Sequence, residues 1–265
     1  MLLLRRIYIL KNFVQMMSFS QRVGIIVQAR TSSTRFPEKI IRKFDGDKTF
    51  LDILLSRFQA LSIEVPIVLA TSTNQKDEKL EAYASKYDYP VFFGSEHNVL
   101  DRFIECSKKF ELDAIIRVCS DNPFLDINLI QELLDNYKGE DYLSFMVGGQ
   151  PSILTHSGFF SELVSVKALK KVKELGNSQC VEHVTNCIYK SPEQFNIRFI
   201  EKKVPEIIRC TLDTENDFEN LKDIYFNWYK TAHNINFKYE DLVEFLESQD
   251  ELLEKMKIEI KNNIK

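Results

Sequence analysis

The sequence contains no G-x-x-x-x-G-K-S/T, G-x-G-x-x-G, H-E-x-x-H or G-x-S-x-G. P-loop, Rossmann, zincin and α/β-hydrolase chemistry therefore have no support. Its five cysteines (Cys106, Cys119, Cys180, Cys187, Cys210) form no C-x-x-C pair and no regular framework. An odd count in a chain of 265 residues predicts reduced, intracellular thiols and a cytoplasmic protein. Cys180, His183 and Cys187 would share one helical face, but a structural zinc needs four ligands and no fourth candidate lies nearby. Packing is the expected role there. A net charge of −4 with scattered basic residues gives no reason to expect a nucleic-acid partner. There is no repeat and no low-complexity linker. Residues 1–22 are apolar but interrupted by Arg5, Arg6 and Lys11, too short to span a bilayer, and without a small-residue cleavage site. No membrane insertion is expected. Met16 and Met17 stand just before the first strand, so this stretch reads as an N-terminal extension from an over-extended start.

What is present is an ordinary globular composition, 44% apolar and 28% charged, sufficient for one large α/β domain over residues 23–265. Strand-like runs at 23–28, 66–71, 90–93 and 114–119 alternate with helical patterns at 49–61, 76–87 and 98–110. Such alternation predicts a doubly wound, mostly parallel sheet with helices on both faces and right-handed crossovers. Thr49 is placed to cap the first helix and Asp126 a further helix at 127–137. From about 140 to 205 the rhythm changes. Strands at 141–146 and 195–201 enclose helices at 166–175 and 179–189, which reads as an insertion for substrate recognition or dimerisation rather than part of the main sheet. A last strand at 207–212 is expected at the sheet edge. From 214 onward the pattern is helical with a break near 234–236. Leu242, Phe245, Leu246, Leu252, Leu253 and Met256 recur at helical spacing, as in a helix packed on the body.

The loop after the first strand carries three cations and four hydroxyls between Arg30 and Lys39. In a parallel sheet ligands gather at the carboxyl ends of strands, and a triphosphate needs fixed positive charge and many donors. Arg30, Arg35 and Lys39 read either as phosphate ligands or as a solvated basic turn. Residues 26–39, IVQARTSSTRFPEK, resemble the opening motif of the cytidylyltransferase family, A-R-x-x-S-T/K-R-L/F-P-G-K. That family includes the CMP-sugar-acid synthetases and the spore-coat polysaccharide cytidylyltransferases. Four later segments are similar to family motifs in the same order: GSEHNVLDRF (94–103), RVCSDNP (117–123), EHVT (182–185) and RCTLDTENDF (209–218).

The resemblance implies the nucleotide-diphospho-sugar transferase fold and a CTP-dependent enzyme that makes a CMP-activated sugar or sugar acid. It implies catalytic roles for Arg30, Lys39, Asp121 and Asp213, with Mg²⁺ on Asp121 and Asp213. Nucleotide contacts are implied at Ala29, Arg30, Ser32, Ser33, Arg35, Lys39, Thr71, Arg102 and Asp121, and acceptor contacts at Glu162, His183 and Arg209. A homodimer is implied too. On residue type alone each aspartate is as easily a turn or cap residue, and Asp213 before Thr214 could simply start a helix. Asp217 is a weaker metal candidate, facing its own helix turn. Thr71 could equally belong to a polar turn, Arg102 to a surface ion pair with Asp101 or Glu105, and His183 either to proton transfer or to a structural hydrogen bond.

The chain departs from the pattern at Glu38, Ser32 and Ser120, where the family has glycine, and at Phe160, where it has aspartate; Gly158 and Glu162 of that last motif are kept. The chemistry is expected to be intact and the acceptor unusual. Two rivals remain: another nucleotidyltransferase or glycosyltransferase of the same fold, and a non-catalytic nucleotide-binding protein. Retention of both aspartates speaks against the second.

Overall fold

The computed structural model describes residues 21–176, 180–232 and 236–263. Most of the N-terminal extension, the start of the helix expected at 179–189 and most of the break expected at 234–236 lie outside the described residues. The four apolar runs of the first half become β1 (Val23–Gln28), β2 (Ile67–Ser72), β3 (Val91–Gly94) and β4 (Ala114–Cys119). They pair in parallel, with Ile26 set between Val68 and Arg117. Successive side chains of a strand point to opposite faces, and the core divides accordingly. Ile25, Val27, Leu69, Ile116 and Val118 belong to one apolar cluster. Ile26, Val68, Ala70 and Ile115 belong to the other.

The crossovers are helical. Helix α1 (Phe50–Arg57) begins in a capping box, with Thr49 and Asp52 each accepting the other's backbone N–H; two donors that the helix leaves open are thereby satisfied. Helix α2 is Leu80–Ser85, shorter than expected because a 3₁₀ turn, Gln75–Asp77, precedes it. At that turn Asp77 is drawn inward to accept from Thr31 and Ser72. Helix α3 (Val99–Lys109) is capped by Asn98 and α4 (Ile127–Asn136) by Asp126.

The second half corrects the expectation most. Strands β5 (Tyr142–Val147), β6 (Gln150–Pro151), β7 (Glu162–Ser165) and β8 (Ile197–Lys202) continue the same sheet, in the order β3-β2-β1-β4-β7-β5-β6 with β8 on β5. Strand β7 was not legible in advance: it has four residues and carries a charge. It runs antiparallel to β4 and β5, so the sheet is mixed. Glu162 is tolerated there because the register sets it opposite Arg117.

The segment 207–212 is not a strand. Cys210 N–H donates to His156 and Leu212 N–H to Asp121, at 2.9 and 2.8 Å; these partners lie on different segments, so no ladder forms. Of the described residues of the helix expected at 179–189, only the last turn, α6 (Asn186–Tyr189), is α-helical. Cys180 and Cys187 are joined as a disulfide with Cα atoms 5.8 Å apart. Seven helical residues would separate them by about 10 Å along the axis, so pairing and helix are incompatible. The expectation of five reduced thiols fails at this pair, while Cys106, Cys119 and Cys210 form no disulfide.

Helix α5 (Val166–Leu175) is capped by Ser165 and closed by Gly176 at φ 67°. Helix α7 (Glu215–Ile224) starts in a Thr214–Asp217 capping box. Helices α8 (Tyr239–Glu247) and α9 (Asp250–Asn262) pack on the body through Leu242, Leu246, Leu252 and Met256, all buried. Among the described residues no helix is long and apolar enough to cross a membrane.

Candidate active site

Asp121 follows the carboxyl end of β4, and Asp213 follows the 207–212 segment. The Leu212 N–H···O=C Asp121 bond at 2.8 Å fixes these two chain ends side by side. Thr214, not Asp213, caps α7, which leaves the Asp213 carboxylate for other work. Lys39 Nζ stands 3.1 Å from Asp213 Oδ1 and 3.4 Å from Asp121 Oδ2. Its backbone is anchored by a 3₁₀ turn whose Ile40 and Ile41 are buried. Burial opposes its charge, but Asp121 and Asp213 outweigh that and hold its pKa above the ordinary lysine value. Arg35 approaches Asp213 at 3.6 Å from a more exposed position. The two carboxylates thus converge on one cation.

The phosphate-type loop is held from below by a residue the sequence did not single out. Asp77 accepts from Thr31 N at 2.7 Å, Thr31 Oγ1 at 2.6 Å and Ser72 Oγ at 2.5 Å. Burial alone would raise its pKa, but these donors lower it. Its partners lie up to 46 residues away in sequence, so no local pattern could have flagged it. Ala29 continues β1 by donating to Ala70 at 3.1 Å. Ser32 is half-buried, and Ser33 Oγ accepts from Phe36 N at 3.3 Å. Arg30 reaches across to Glu182 at 3.1 Å. Glu38 has φ 58°, the left-handed conformation that glycine adopts freely; that is the physical reason for a glycine in the motif. Ser32 and Ser120 show no positive φ, so no such demand exists at their positions.

A cavity of about 490 Å³ opens beside the aspartates. Arg35, Asp121, His183 and Asp213 line it, together with Arg117, Asn122, Leu154, Phe160, Asn186 and Lys190. Arg30, Lys39, Thr71 and Arg102 are not among its lining residues. Thr71 is fully buried in β2 rather than presented by the loop. Arg102 is buried as well and donates to the Ser95 and Glu96 carbonyls; the surface ion pair is not formed, since Asp101 is bonded to Lys173 instead.

Two of the three implied acceptor residues do not touch the cavity. Glu162, 2% exposed, pairs with Arg117 at 2.7 Å and accepts from Thr185 at 3.1 Å and from the Tyr142 hydroxyl. Burial opposes the Arg117 charge, yet Cys119 and Glu162 beside it keep its pKa above the ordinary arginine value. Glu162 therefore aims Arg117, which does line the cavity. Arg209, 1% exposed, grips Asp217 through Nε and Nη2 at 2.6 and 2.7 Å and lies 3.7 Å from Asp213. Its Nη1 meets His156 Nδ1 at 2.5 Å, and from this position it braces the Asp213 turn rather than lining the cavity. Asp217 also accepts the Asp213 and Thr214 N–H groups at 2.9 Å, so it faces its own helix turn as expected.

The Cys180–Cys187 disulfide takes up both thiolates that zinc at Cys180, His183 and Cys187 would need, and among the described residues no three His, Cys, Asp or Glu side chains cluster as a metal site. Mg²⁺ needs no such cage; one or two carboxylates completed by phosphate oxygens and water suffice. Asp121 and Asp213, hard oxygen donors already gathered on an ammonium, fit that ion.

The cytidylyltransferase family model matches residues 24–258. The spore coat polysaccharide biosynthesis protein SpsF of Bacillus subtilis (strain 168) is 32% identical over 210 residues, 76% of this chain and 85% of that protein. A cytidylyltransferase structure from Leptospira borgpetersenii serovar Hardjo-bovis (strain JB197) aligns at TM-score 0.77 and 27% identity, covering 88% of this chain and 97% of that one. A CMP:2-keto-3-deoxy-manno-octonic acid synthetase complexed with CTP shares the fold, with TM-score 0.59 and 15% identity over 78% of this chain and 99% of that one. The family model spans nearly the whole described fold, and by that match this chain belongs to the cytidylyltransferase family and is a nucleotidyltransferase.

Proposed function

We propose that the protein transfers a cytidylyl group from CTP to a hydroxyl of a sugar or sugar acid, releasing pyrophosphate, for synthesis of a surface polysaccharide or glycan. The observation that carries this reading is the convergence of Asp121 and Asp213 on one cation at the mouth of the cavity. The acceptor oxygen bonds to the α-phosphorus, the bond from that phosphorus to the bridging oxygen breaks with its electron pair leaving on pyrophosphate, and the hydroxyl proton passes to water. Asp121 and Asp213 would hold Mg²⁺, which would supply Lewis-acid charge for the transfer. Arg30, Arg35 and Lys39 bind the triphosphate and neutralise the charge that builds on the leaving pyrophosphate. The cavity receives the acceptor and orients its hydroxyl, so that an encounter becomes a positioned displacement. Arg117, aimed by Glu162, and the cavity-lining Lys190 offer positive charge to an acidic acceptor, and His183 offers it a ring nitrogen for hydrogen bonding.

Thermal stabilisation by each of the four nucleoside triphosphates with Mg²⁺ tests the nucleotide assignment. A shift with CTP well above the other three supports it. Equal shifts, or none, would overturn it.

A further inference from the structure

Lys39 is placed where two demands compete. Its ammonium bridges Asp121 and Asp213, and its side chain is 12% exposed. The buried Ile40 and Ile41 beside it fix its backbone, so only the side chain can move. A divalent ion shared by the same two carboxylates needs the space between them that the ammonium fills. Like charges repel strongly at such range when partly screened from water. Neither neighbouring arginine stands in the same way. Arg35 reaches only Asp213, at 3.6 Å and with a 60% exposed side chain, and Arg209 is fixed on Asp217.

We propose that Lys39 is a resident counter-cation which a divalent metal must displace, and that the triphosphate drives this displacement by giving the ammonium a new anionic partner. Resting on the proposed metal and nucleotide sites, the inference adds a coupling between them. The Lys39 side chain swings from the carboxylates to the phosphates, the carboxylates become free for the metal, and each ligand strengthens the other. Such coupling is reciprocal by thermodynamic necessity. The metal is consequently held weakly without nucleotide, and the two bind as a unit.

The test is Mn²⁺ binding followed by electron paramagnetic resonance on the full chain, with and without saturating CTP, corrected for metal–nucleotide complex in solution. Circular dichroism and the thermal midpoint check that each variant is folded. Without CTP, Lys39→Met should bind Mn²⁺ about tenfold or more tightly than the unmodified protein, by removal of a contacting charge. Arg35→Met should change it by less than about threefold, as expected of an exposed charge. Lys39→Arg, which keeps a cation in place, should stay close to the unmodified protein. The factor by which CTP tightens Mn²⁺ should also fall in Lys39→Met. An unchanged Mn²⁺ affinity in Lys39→Met, or an equal gain in Arg35→Met, would overturn the displacement while leaving the metal site standing. Absence of Mn²⁺ binding by the unmodified protein even with CTP would instead remove the metal site itself, and this inference with it.

Discussion

From β3 to β4 every neighbouring pair of strands runs parallel, whereas β7 runs antiparallel to both of its neighbours and only β8 restores a parallel pair beyond it. The two halves serve different ends. Parallel strands deliver their carboxyl ends to one edge of the sheet, where ligands of open α/β sheets bind, and the Arg30–Lys39 loop and Asp121 both leave from that edge. The reversed β7 instead carries a charged residue into the interior and sets it against β4. On the nucleotide side the exposed cations Arg30 and Arg35 reach Glu182 and Asp213, above a buried Asp77 that ties Thr31 to Ser72. On the acceptor side polar groups are buried in contacts between distant segments, such as Arg117 with Glu162.

The difference predicts where substitutions hurt. Arg117→Met leaves Glu162 buried and uncompensated, and should cost about 3–5 kcal/mol of stability in urea unfolding. Adding Glu162→Gln should return much of that loss, because the orphaned charge is gone; no recovery in the double variant would contradict the ion-pair account. Gly158→Ala combines φ 71° with a Cβ only 2.6 Å from the Cys210 carbonyl oxygen. It should cost about 1–3 kcal/mol from backbone strain, and it should raise KM for the acceptor more than for CTP, since Gly158 lines the cavity. Equal effects on both KM values would blur the division between the halves. On the nucleotide side, Glu38→Gly relieves a left-handed non-glycine residue and gives up an exposed pair with Lys79. It should stabilise by up to about 1 kcal/mol with activity retained, and a loss of stability would show that the Lys79 contact outweighs the strain.

The same division explains what could be read in advance. Strands β1 to β4 and the caps at Thr49 and Asp126 are local patterns, apolar runs and polar residues at fixed offsets, and they stand within a residue or so of where the sequence puts them. The loop cations and both aspartates were legible through motif order. Strand β7 was not, because four residues around a glutamate have no period to detect, and its stability depends on Arg117, 45 residues away. Asp77 was hidden for the same reason. Glu162 and Arg209 are implied by the motifs as acceptor contacts, yet neither lines the cavity; motifs cannot tell a residue that touches a ligand from one that braces it, and that distinction lies in partners such as Asp217 and Thr185. The helix expected at 179–189 failed because helical spacing was assumed where Cys180 and Cys187 pair.

Joint ownership of one cation by Asp121 and Asp213 is the central claim, and a double-mutant cycle on turnover tests it most directly. Asp121→Asn and Asp213→Asn should each lower kcat by about a thousandfold, roughly 4 kcal/mol of barrier, and the double variant should lose little more than either single one, as expected for residues acting as a unit. Losses that add in full, or near-normal turnover in either single variant with circular dichroism unchanged, would show that the two carboxylates do not share an ion.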